Sequence, residues 1–334
     1  MKKVIVTGAA GFIGFHVSKI LLNKGFRVFG IDSLNNYYDV KIKKSRNDIL
    51  SQSQNYKFYK LKIENNACIE LINEINPDFI IHLAAQAGVR YSLENPRSYV
   101  QSNIVGTFNI LEAARDISCK HLMIASTSSV YGANTNMPFN ENQKADTQLT
   151  IYSASKKSNE SMAHSYSHLY KIPITMFRFF TVYGPWGRPD LALYKFVKNI
   201  IRSEDIEVYN QGEMFRDFTY VDDLAKSIFL LMGKSPSSSD SFENDSLSPV
   251  APFRIVNIGN SNQVKLIDFV RAIEDELGIK AHIKFLPLQK GDVLATFSNT
   301  DLLEQITGFR PTTNIKDGIH QFIEWYKEYF KIKP

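Results

Sequence analysis

The segment Val4–Gly14, with the sequence VIVTGAAGFIG, contains the pattern that decides the fold prediction. A short run of β-branched residues predicts a buried strand, and Gly8, Gly11 and Gly14 follow it. Residues 13–23 repeat apolar side chains at helical spacing, which predicts a helix directly after the glycines. Glycines at this spacing permit a tight turn, a close approach of the backbone to a diphosphate, and close packing of helix on strand. The segment therefore predicts a dinucleotide-binding unit.

The rest of the chain continues this alternation of strand and helix. Strands are predicted at 27–31, 79–83, 121–125 and 174–177, and helices at 96–116, 151–169, 222–232 and 266–277. Alternation of this kind favours parallel strands joined by right-handed crossovers, and continuous apolar strands fit a sheet covered on both faces. We predict an α/β fold: a Rossmann-type, doubly wound parallel sheet with a smaller C-terminal α/β domain that binds the substrate.

The expected domain division follows the change in regularity along the chain. Residues 1–180 are assigned to the dinucleotide-binding domain, with segments near 215–235 and 253–260 returning to it, and residues 181–334 mainly to the second domain. Residues 235–252 are rich in Ser, Asp and Pro, which predicts a mobile surface loop. A passive insertion is the first interpretation of this loop, and a lid over the substrate is the alternative.

The composition of the 334-residue chain is that of an ordinary globular protein, with 44% hydrophobic residues, 22% charged residues and a net charge of +5. The only dense basic run, at 41–46, lacks the interleaved stacking aromatics typical of nucleic-acid surfaces. Cys68 and Cys119 have no metal-type spacing and are too few for a disulfide scaffold. No run of about eighteen apolar residues predicts a transmembrane helix. We expect a cytoplasmic protein without metal, nucleic-acid or membrane partners.

Asp32, at the end of the second predicted strand, indicates which dinucleotide binds. A carboxylate at this position accepts hydrogen bonds from the adenosine ribose hydroxyls and repels the 2′-phosphate of NADP. No arginine immediately follows the aspartate, so NAD is the expected cofactor. The residues expected to contact it are Gly8, Gly11, Phe12, Ile13, Gly14, Asp32, Ile63, Leu83, Ala84, Ala85, Asn103, Tyr152 and Lys156.

The sequence YSASK at 152–156 predicts a catalytic pair at the start of a long helix. Its i, i+4 spacing puts Tyr152 and Lys156 on one helix face. A nearby ammonium and a positively charged nicotinamide would lower the tyrosine pKa from about 10, which would make Tyr152 a base near neutral pH. The hydroxyls of residues 126–129 follow the strand that ends at Ala125, and ligands bind outside the carboxyl ends of parallel strands. Hydroxyls and catalytic pair are therefore expected around the nicotinamide.

The glycine pattern, Thr127, Tyr152 and Lys156 together resemble the extended short-chain dehydrogenase/reductase family over nearly the whole chain. Four further segments are most similar to the UDP-glucuronate 4-epimerases in that family. They are GVRYS at 88–92, TVYGPWGRPD at 181–190, RDFTYVDD at 216–223 and KGDV at 290–293. The resemblance implies conversion of UDP-glucuronate to UDP-galacturonate through a transient 4-keto sugar, with NAD reduced and reoxidised in each cycle.

The resemblance also implies roles for individual residues. Tyr152 would take the proton of the sugar 4-hydroxyl, Thr127 would hydrogen-bond the reacting oxygen, and Lys156 would hold the nicotinamide ribose and lower the pKa of Tyr152. Related 4,6-dehydratases carry an Asp-Glu pair after the threonine, and related decarboxylases carry a glutamate where this chain has Ser129. Ser128 and Ser129 supply no carboxylate, which argues against dehydration and, less strongly, against decarboxylation.

A substrate carboxylate would be bound by the hydroxyls of Thr127, Ser128, Ser129 and Thr181, and by the fork-shaped cation of Arg188. The resemblance places Arg216 and Asp292 at the diphosphate and uridine ribose, and Arg90 near the sugar. The alternative for Arg188 is a surface position, and for Arg216 and Asp292 a structural ion pair.

Lys62 departs from the family pattern. Family members have an aspartate at this position, just before the equivalent of Ile63, and it contacts adenine; Glu64 is a candidate to compensate.

The alternative functions are a 4-epimerase of UDP-glucose or UDP-N-acetylglucosamine, a UDP-glucuronate decarboxylase, and a non-catalytic NAD-binding protein. The resemblance further implies a homodimer formed through the helices near 103–115 and 152–169.

Overall fold

The computed structural model describes residues 1–117, 119–237, 239, 241–289 and 291–332. Within these ranges the strands are β1 (Lys3–Thr7), β2 (Arg27–Asp32), β3 (Tyr56–Lys60), β4 (Phe79–His82), β5 (His121–Ala125), β6 (Ile174–Phe179), β7 (Thr181–Tyr183), β8 (Ile206–Tyr209), β9 (Phe215–Tyr220), β10 (Phe253–Ile258), β11 (Gln263–Lys265) and β12 (Ile283–Leu286). The α-helices are α1 (Phe12–Asn23), α2 (Val40–Leu50), α3 (Ala67–Ile75), α4 (Tyr91–Glu94), α5 (Pro96–Tyr99), α6 (Gly106–Asp116), α7 (Ile151–Tyr170), α8 (Ala192–Ile201), α9 (Val221–Met232), α10 (Leu266–Leu277), α11 (Asp301–Thr307) and α12 (Ile315–Phe330). None of the helices in these ranges combines the length and the apolar character that crossing a membrane requires.

A seven-stranded parallel sheet forms the centre of the molecule, in the order β3-β2-β1-β4-β5-β6-β10. The strand order reverses between β1 and β4, and a crevice opens there at the carboxyl ends of the strands. β5 and β6 are buried along their whole length, because separate apolar cores cover the two faces of the sheet. The predicted Rossmann-type fold is confirmed.

A second region follows β6 and packs around its own apolar core. β7, β9 and β11 form a three-stranded sheet, and β8 pairs with β12. The core between these strands and α8, α10 and α12 is rich in aromatic rings, and Phe218 stacks on Phe269 with 4.3 Å between ring centroids. The segment expected to return to the first domain divides: β9 belongs to the small sheet, whereas α9 packs against α1. β10 lies at the edge of the large sheet beside β6. The expected boundary near residue 180 stays a prediction.

The helix predicted at 96–116 is interrupted by a π-helical segment, Val100–Val105, between α5 and α6. A π-turn holds one more residue than an α-turn and commonly marks a functional position. Here it contains Asn103, whose fully buried side chain accepts a hydrogen bond from the Gln86 backbone N–H (2.8 Å) and donates one to Ser155 Oγ (2.9 Å). The segment therefore ties α7 to the loop that follows β4.

The segment 235–252 forms specific contacts after residue 241, and two of its residues, Ser238 and Asp240, lie outside the described ranges; its mobility stays a prediction. Asp245 forms a buried ion pair with Arg254 on β10, with 2.8 Å between Oδ2 and Nη2. Ser246 Oγ accepts from the Ile255 N–H, and Ser248 Oγ lies 2.8 Å from His164 Nε2 on α7. The polar composition that suggested mobility thus supplies partners for β10 and α7. None of the described loop residues lines the crevice, which leaves the lid interpretation without support.

Candidate active site

The glycine turn after β1 brings three backbone segments into contact at the base of the crevice. Gly8 has a φ of +71°, and a Cβ there would lie 2.9 Å from the Ala84 backbone nitrogen. A Cβ on Gly14 would lie 2.0 Å from the Gly8 carbonyl oxygen. Gly11 precedes α1 without a side-chain cap, so the first N–H groups of the helix face the crevice free of side-chain acceptors. This arrangement suits a diphosphate.

A cavity of about 1180 Å³ extends from this turn along the carboxyl ends of the strands. All but one of the residues expected to contact the cofactor line it. They are Gly8, Gly11, Phe12, Ile13, Gly14, Asp32, Ile63, Leu83, Ala84, Ala85, Tyr152 and Lys156. The exception, Asn103, is buried behind the wall and supports Gln86, as described above.

Asp32 lies at the end of β2, where the adenosine ribose was predicted. Its carboxylate accepts the N–H groups of Leu34 (2.8 Å) and Ala10 (3.2 Å), which orients it toward the cavity. Burial raises the pKa of Asp32, and the Leu34 hydrogen bond and the charge of Lys43 oppose that rise. At the adenine end, Lys62 and Glu64 both line the cavity, and a loose 3.9 Å contact joins Lys62 Nζ to Glu64 Oε1. These residues fit NAD, although Lys62 is 70% exposed and supplies no carboxylate for an adenine amino group.

Thr127, Tyr152 and Lys156 meet at the opposite end of the cavity. Thr127 follows β5 and accepts the Ser129 N–H at 3.2 Å, which starts a tight helical turn at Ser128–Tyr131. Tyr152 lies in the first turn of α7, a helix that begins with a reciprocal capping box between Thr150 and Ser153. The local sequence thus fixes both elements that carry the catalytic candidates.

Burial acts on the protonation of both Tyr152 and Lys156. Burial raises the pKa of the Tyr152 phenol, while a hydrogen bond with Thr127 and the charge of Arg188 oppose the rise. Burial also lowers the pKa of Lys156 to about 8. The Lys156 Nζ donates to the Ala125 carbonyl at 2.8 Å. The charged group that opposes the rise in this structure is Arg188, and the lowering expected from Lys156 together with a bound nicotinamide stays a prediction.

The hydroxyls expected around a substrate carboxylate line the same end of the cavity, together with Arg188. These hydroxyls belong to Thr127, Ser128, Ser129 and Thr181. Thr181 begins β7, and Arg188 lies in the turn between β7 and α8. The interpretation of Arg188 as a surface residue is wrong, because its side chain is only 19% exposed and forms a two-pronged ion pair with Asp190.

Arg90, Arg216 and Asp292 form a separate cluster and do not line the cavity. Arg90 Nη2 lies 3.1 Å from Asp292 Oδ2, and its guanidinium stacks over the Tyr209 ring at 4.6 Å. Burial lowers the pKa of Arg216, against the opposing charge of Asp292. The ion-pair alternative for Asp292 is therefore present, with Arg90 rather than Arg216 as the contacting partner. Lys290 of the KGDV segment lies outside the described residues.

Two buried cations on α2 were missed by the sequence interpretation, which treated the 41–46 run only as a candidate charged surface. Lys43 lines the cavity, and its Nζ donates to the Asn35 carbonyl at 2.7 Å. Arg46 is fully buried, and donates to the carbonyls of Ala10 (3.0 Å) in the glycine turn and Trp186 (2.5 Å) beside Arg188. The signal was available, because Arg46 falls on the helix face of the apolar Ile42 and Leu50.

No group of His, Cys, Asp and Glu side chains within the described ranges is arranged to hold a metal ion.

The fold, the glycine turn and the Thr-Tyr-Lys set define an extended short-chain dehydrogenase/reductase. The family model described as GDP-mannose 4,6 dehydratase matches residues 5–322. The chain belongs to the extended short-chain dehydrogenase/reductase family, which this model describes.

Named relatives match over nearly the whole chain. The chain is 50% identical over 334 residues to a probable UDP-glucuronate 4-epimerase of Rhizobium meliloti (strain 1021), with 98% of each chain covered. It is 40% identical to UDP-glucuronate 4-epimerase 4 of Arabidopsis thaliana, covering 98% of this chain and 76% of the relative. A crystal structure of UDP-glucuronic acid 4-epimerase from Bacillus cereus, in complex with UDP-glucuronic acid and NAD, superimposes with a TM-score of 0.87 at 30% identity. That match covers 98% of this chain and 99% of the other.

Proposed function

We propose that the chain is an NAD-dependent 4-epimerase that interconverts UDP-glucuronate and UDP-galacturonate through a transient 4-keto sugar. The observation that carries this proposal is the make-up of the cavity end around Tyr152. Thr127, Lys156 and Arg188 lie there with two serines, Ser128 and Ser129, where a dehydratase would need acidic side chains. The relatives described above are named for the same reaction.

The chain supplies a proton acceptor and its surroundings, and the cofactor supplies the redox chemistry. NAD, when bound, accepts the hydride from C4 of the sugar and returns it to the opposite face. Tyr152 takes the proton of the 4-hydroxyl as the ketone forms and gives it back when the alcohol is regenerated. Thr127 holds the phenol by a hydrogen bond, and Lys156 holds the ribose of the nicotinamide half. The glycine turn and Asp32 hold the diphosphate and the adenosine ribose.

The carboxylate of the sugar is bound by Arg188 and the hydroxyls of Thr181, Ser128 and Ser129. A guanidinium presents planar, paired N–H donors that match a carboxylate. This binding also protects the intermediate, because a 4-keto uronate is a β-keto acid. It loses CO2 most easily when the C5–C6 bond stands perpendicular to the ketone plane, and fixed donors can prevent that orientation. An Arg188→Ala variant with unchanged kinetics on UDP-glucuronate would contradict this assignment.

The diphosphate and uridine are assigned to the cluster of Arg216, Arg90 and Asp292. The cluster carries two cations against one carboxylate, which leaves a net positive charge for a diphosphate. Tyr209, under the Arg90 guanidinium, adds an aromatic face at the same place. We assign the uridine ribose to Asp292.

A panel of UDP-sugars tests the proposal most directly. The NAD-loaded protein is incubated separately with UDP-glucuronate, UDP-glucose and UDP-N-acetylglucosamine, and products are separated and weighed by mass spectrometry. We expect UDP-galacturonate from UDP-glucuronate, at unchanged mass, and far slower conversion of the neutral sugars. Preferred conversion of a neutral sugar would replace this proposal with the alternative epimerases. A mass loss of one CO2 would replace it with the decarboxylase.

Tyr152→Phe separates the enzyme from a non-catalytic NAD-binding protein. The phenylalanine keeps the ring and removes the proton acceptor, so turnover should fall by a factor of about 10²–10⁴ while NAD still binds. A protein that only binds NAD would show no turnover to lose.

We also propose that the chain forms a homodimer through α6 and α7 and acts in the cytoplasm. The two helices pack together and expose apolar side chains at Phe108, Leu169 and Tyr170. Apolar patches of this kind commonly mark protein contacts. The two free, buried cysteines suit a reducing compartment.

A further inference from the structure

Arg188 is held on one edge by two residues that no assignment above uses. Its Nε donates to Asp190 Oδ1 at 3.0 Å, and its Nη2 donates to Asp190 Oδ2. The hydroxyl of Tyr37, which belongs to the loop between β2 and α2, donates to the same Oδ2 at 3.2 Å. Among the described residues, Nη1 of Arg188 has no hydrogen-bond partner. The opposite edge of the guanidinium is therefore left for a ligand in the cavity.

Tyr37 is itself fixed by its surroundings. Its ring packs against Tyr91 with 4.8 Å between centroids. Gly88 makes room for the hydroxyl, because a Cβ there would lie 2.4 Å from Tyr37 Oη, and its φ of +100° favours glycine. The GVRYS segment at 88–92 thus seats the tyrosine that contacts Asp190.

The charges keep this arrangement intact across the neutral pH range. Burial raises the pKa of Tyr37 to about 12, with Asp190 adding to the rise, so the hydroxyl stays a donor. Burial would raise the pKa of Asp190, but Arg188 outweighs it and the pKa lies below its ordinary value. Asp190 therefore stays ionised and acts as a fixed acceptor for both partners.

We propose that Tyr37 and Asp190 are positioning residues that set the orientation of Arg188 and so select an anionic sugar. The inference rests on the proposed function, in which Arg188 binds the carboxylate. Asp190 fixes the Nε edge of the guanidinium, and Tyr37 fixes Asp190. The Nη1 edge is then directed to the carboxylate without a loss of side-chain freedom on binding. A neutral sugar makes no use of that edge.

The same arrangement protects the 4-keto intermediate. In decarboxylation the C5–C6 bond breaks, its electron pair passes to the C4 carbonyl as an enolate, CO2 leaves, and C5 then takes a proton from solvent. A correctly oriented Arg188 holds the carboxylate away from the geometry that this step needs. The product of this step is a UDP-4-keto-pentose, which becomes a UDP-pentose when the NADH formed in the first half-reaction returns its hydride to C4. Loosening Arg188 should therefore raise the fraction of these two products.

Tyr37→Phe tests the inference, with Tyr59→Phe as the matched control. Tyr59 lies on β3, outside the cavity lining. Dissociation constants of UDP-glucuronate and UDP-glucose are measured by calorimetry on the NAD-loaded protein. We expect Tyr37→Phe to weaken UDP-glucuronate binding by about 5- to 10-fold, the effect of one hydrogen bond, and UDP-glucose binding by less than about 2-fold. An unchanged ratio of the two constants would overturn the inference, whether neither sugar loses affinity or both lose it equally.

The route through Asp190 is tested by repeating Tyr37→Phe in an Asp190→Leu background. The hydroxyl has no acceptor there, so removing it should change UDP-glucuronate binding by less than about 2-fold. The full loss in both backgrounds would show that Tyr37 acts directly on the sugar and overturn the inference. Failure of the proposed function is distinguishable, because the wild-type protein would then bind UDP-glucuronate no better than UDP-glucose.

Discussion

Tyr152, the proposed base, lies where its charged form is disfavoured. Burial raises the pKa of its phenol, and the structure opposes that rise with Thr127 and Arg188. Arg188 thus has two uses, because the cation assigned to the substrate carboxylate also reaches the proton acceptor. On the proposed assignments, substrate selection and proton transfer are linked through one guanidinium.

We predict that Arg188→Met moves the acidic limb of the pH–rate profile to higher pH. Removing the cation raises the pKa of Tyr152, and the base must be deprotonated to act, so a higher pH is needed for the same rate. The shift is expected in kcat measured at saturating UDP-glucose, a substrate without a carboxylate. Arg202→Lys, on the exposed end of α8, is the control. An unmoved limb would show that the charge of Arg188 does not reach Tyr152.

The sequence predicted single residues well where a local motif fixes them. Thr127, Tyr152 and Lys156 follow a strand end or a helix start at set offsets, and all three reach the cavity. Arg90 and Asp292 are 202 residues apart, and nothing in their spacing shows that they form an ion pair. Such pairs depend on how the two regions pack, which no local pattern encodes.

At the scale of elements, α2 joins the glycine turn after β1 to the turn between β7 and α8 that carries Arg188. Arg46 donates to Ala10 in the first and to Trp186 in the second, so a shift of either turn disturbs the other. A buried guanidinium reaches several carbonyls at once, which an ammonium cannot do. We infer that α2 keeps the spacing between the two binding sites.

Arg46→Lys should therefore destabilise the protein and weaken NAD binding together. Lost hydrogen bonds to buried carbonyls are expected to lower the free energy of unfolding by about 2 kcal/mol. Urea unfolding and an NAD titration measure the two effects. Arg202→Lys again serves as the exposed control. Normal NAD affinity in a destabilised Arg46→Lys protein would show that α2 does not influence the glycine turn.

Glu141 joins the ends of two strands and makes the stability depend on pH. Its Oε1 accepts the Asn257 N–H of β10 at 2.8 Å, and its carbonyl accepts from Arg178 of β6. Burial raises the pKa of Glu141 from 4.5 to about 7. The folded protein therefore retains a proton that the unfolded chain releases, so this stabilisation is full below pH 4.5 and is lost as the pH rises through about 7.

Glu141→Gln should equal the wild type in stability near pH 4.5 and exceed it at pH 8. The amide keeps the acceptor for Asn257 and buries no charge. The expected gain at pH 8 is up to about 3 kcal/mol, from the size of the pKa shift. Thermal melts at both pH values measure it, with Glu204→Gln at an exposed site as the control. A gain that is the same at both pH values would contradict the mechanism.

The order of the elements followed from periodicity, whereas their details did not. β5 and α10 occupy the predicted residues, because apolar periodicity defines them locally. The π-segment at 100–105 escaped prediction, since it depends on Asn103 finding partners in α7 and in the loop after β4. Composition also did not show that polar side chains at 242–252 have buried partners, as Asp245 has in Arg254.

At the scale of the whole molecule, α7 carries Tyr152 and also shares an exposed apolar surface with α6. Phe108 is 43% exposed and Leu169 is 66% exposed, and α7 carries Tyr152 in its first turn. A partner packed on these helices would stiffen the element that holds the base. Dimerisation and catalysis would then share a helix.

A Phe108→Glu, Leu169→Glu double variant should be a monomer, because two buried charges per subunit would oppose the contact. Light scattering gives the mass of the variant and of an Ile279→Glu control, a similarly exposed apolar site in the second region. A dimeric double variant, or a monomeric wild type, would rule out this interface.

The seating of Tyr37 against Asp190 has a consequence for how such proteins change over time. The groups assigned to chemistry lie just after β5 and on α7, whereas the groups that hold Arg188 are on the loop after β2 and the turn after β7. Mutations in the second set therefore affect the first through the charge of Arg188, and leave the catalytic side chains themselves unchanged. New sugar preferences would arise by drift in two short connecting segments, on an unaltered catalytic framework, and directed evolution of this scaffold would begin there.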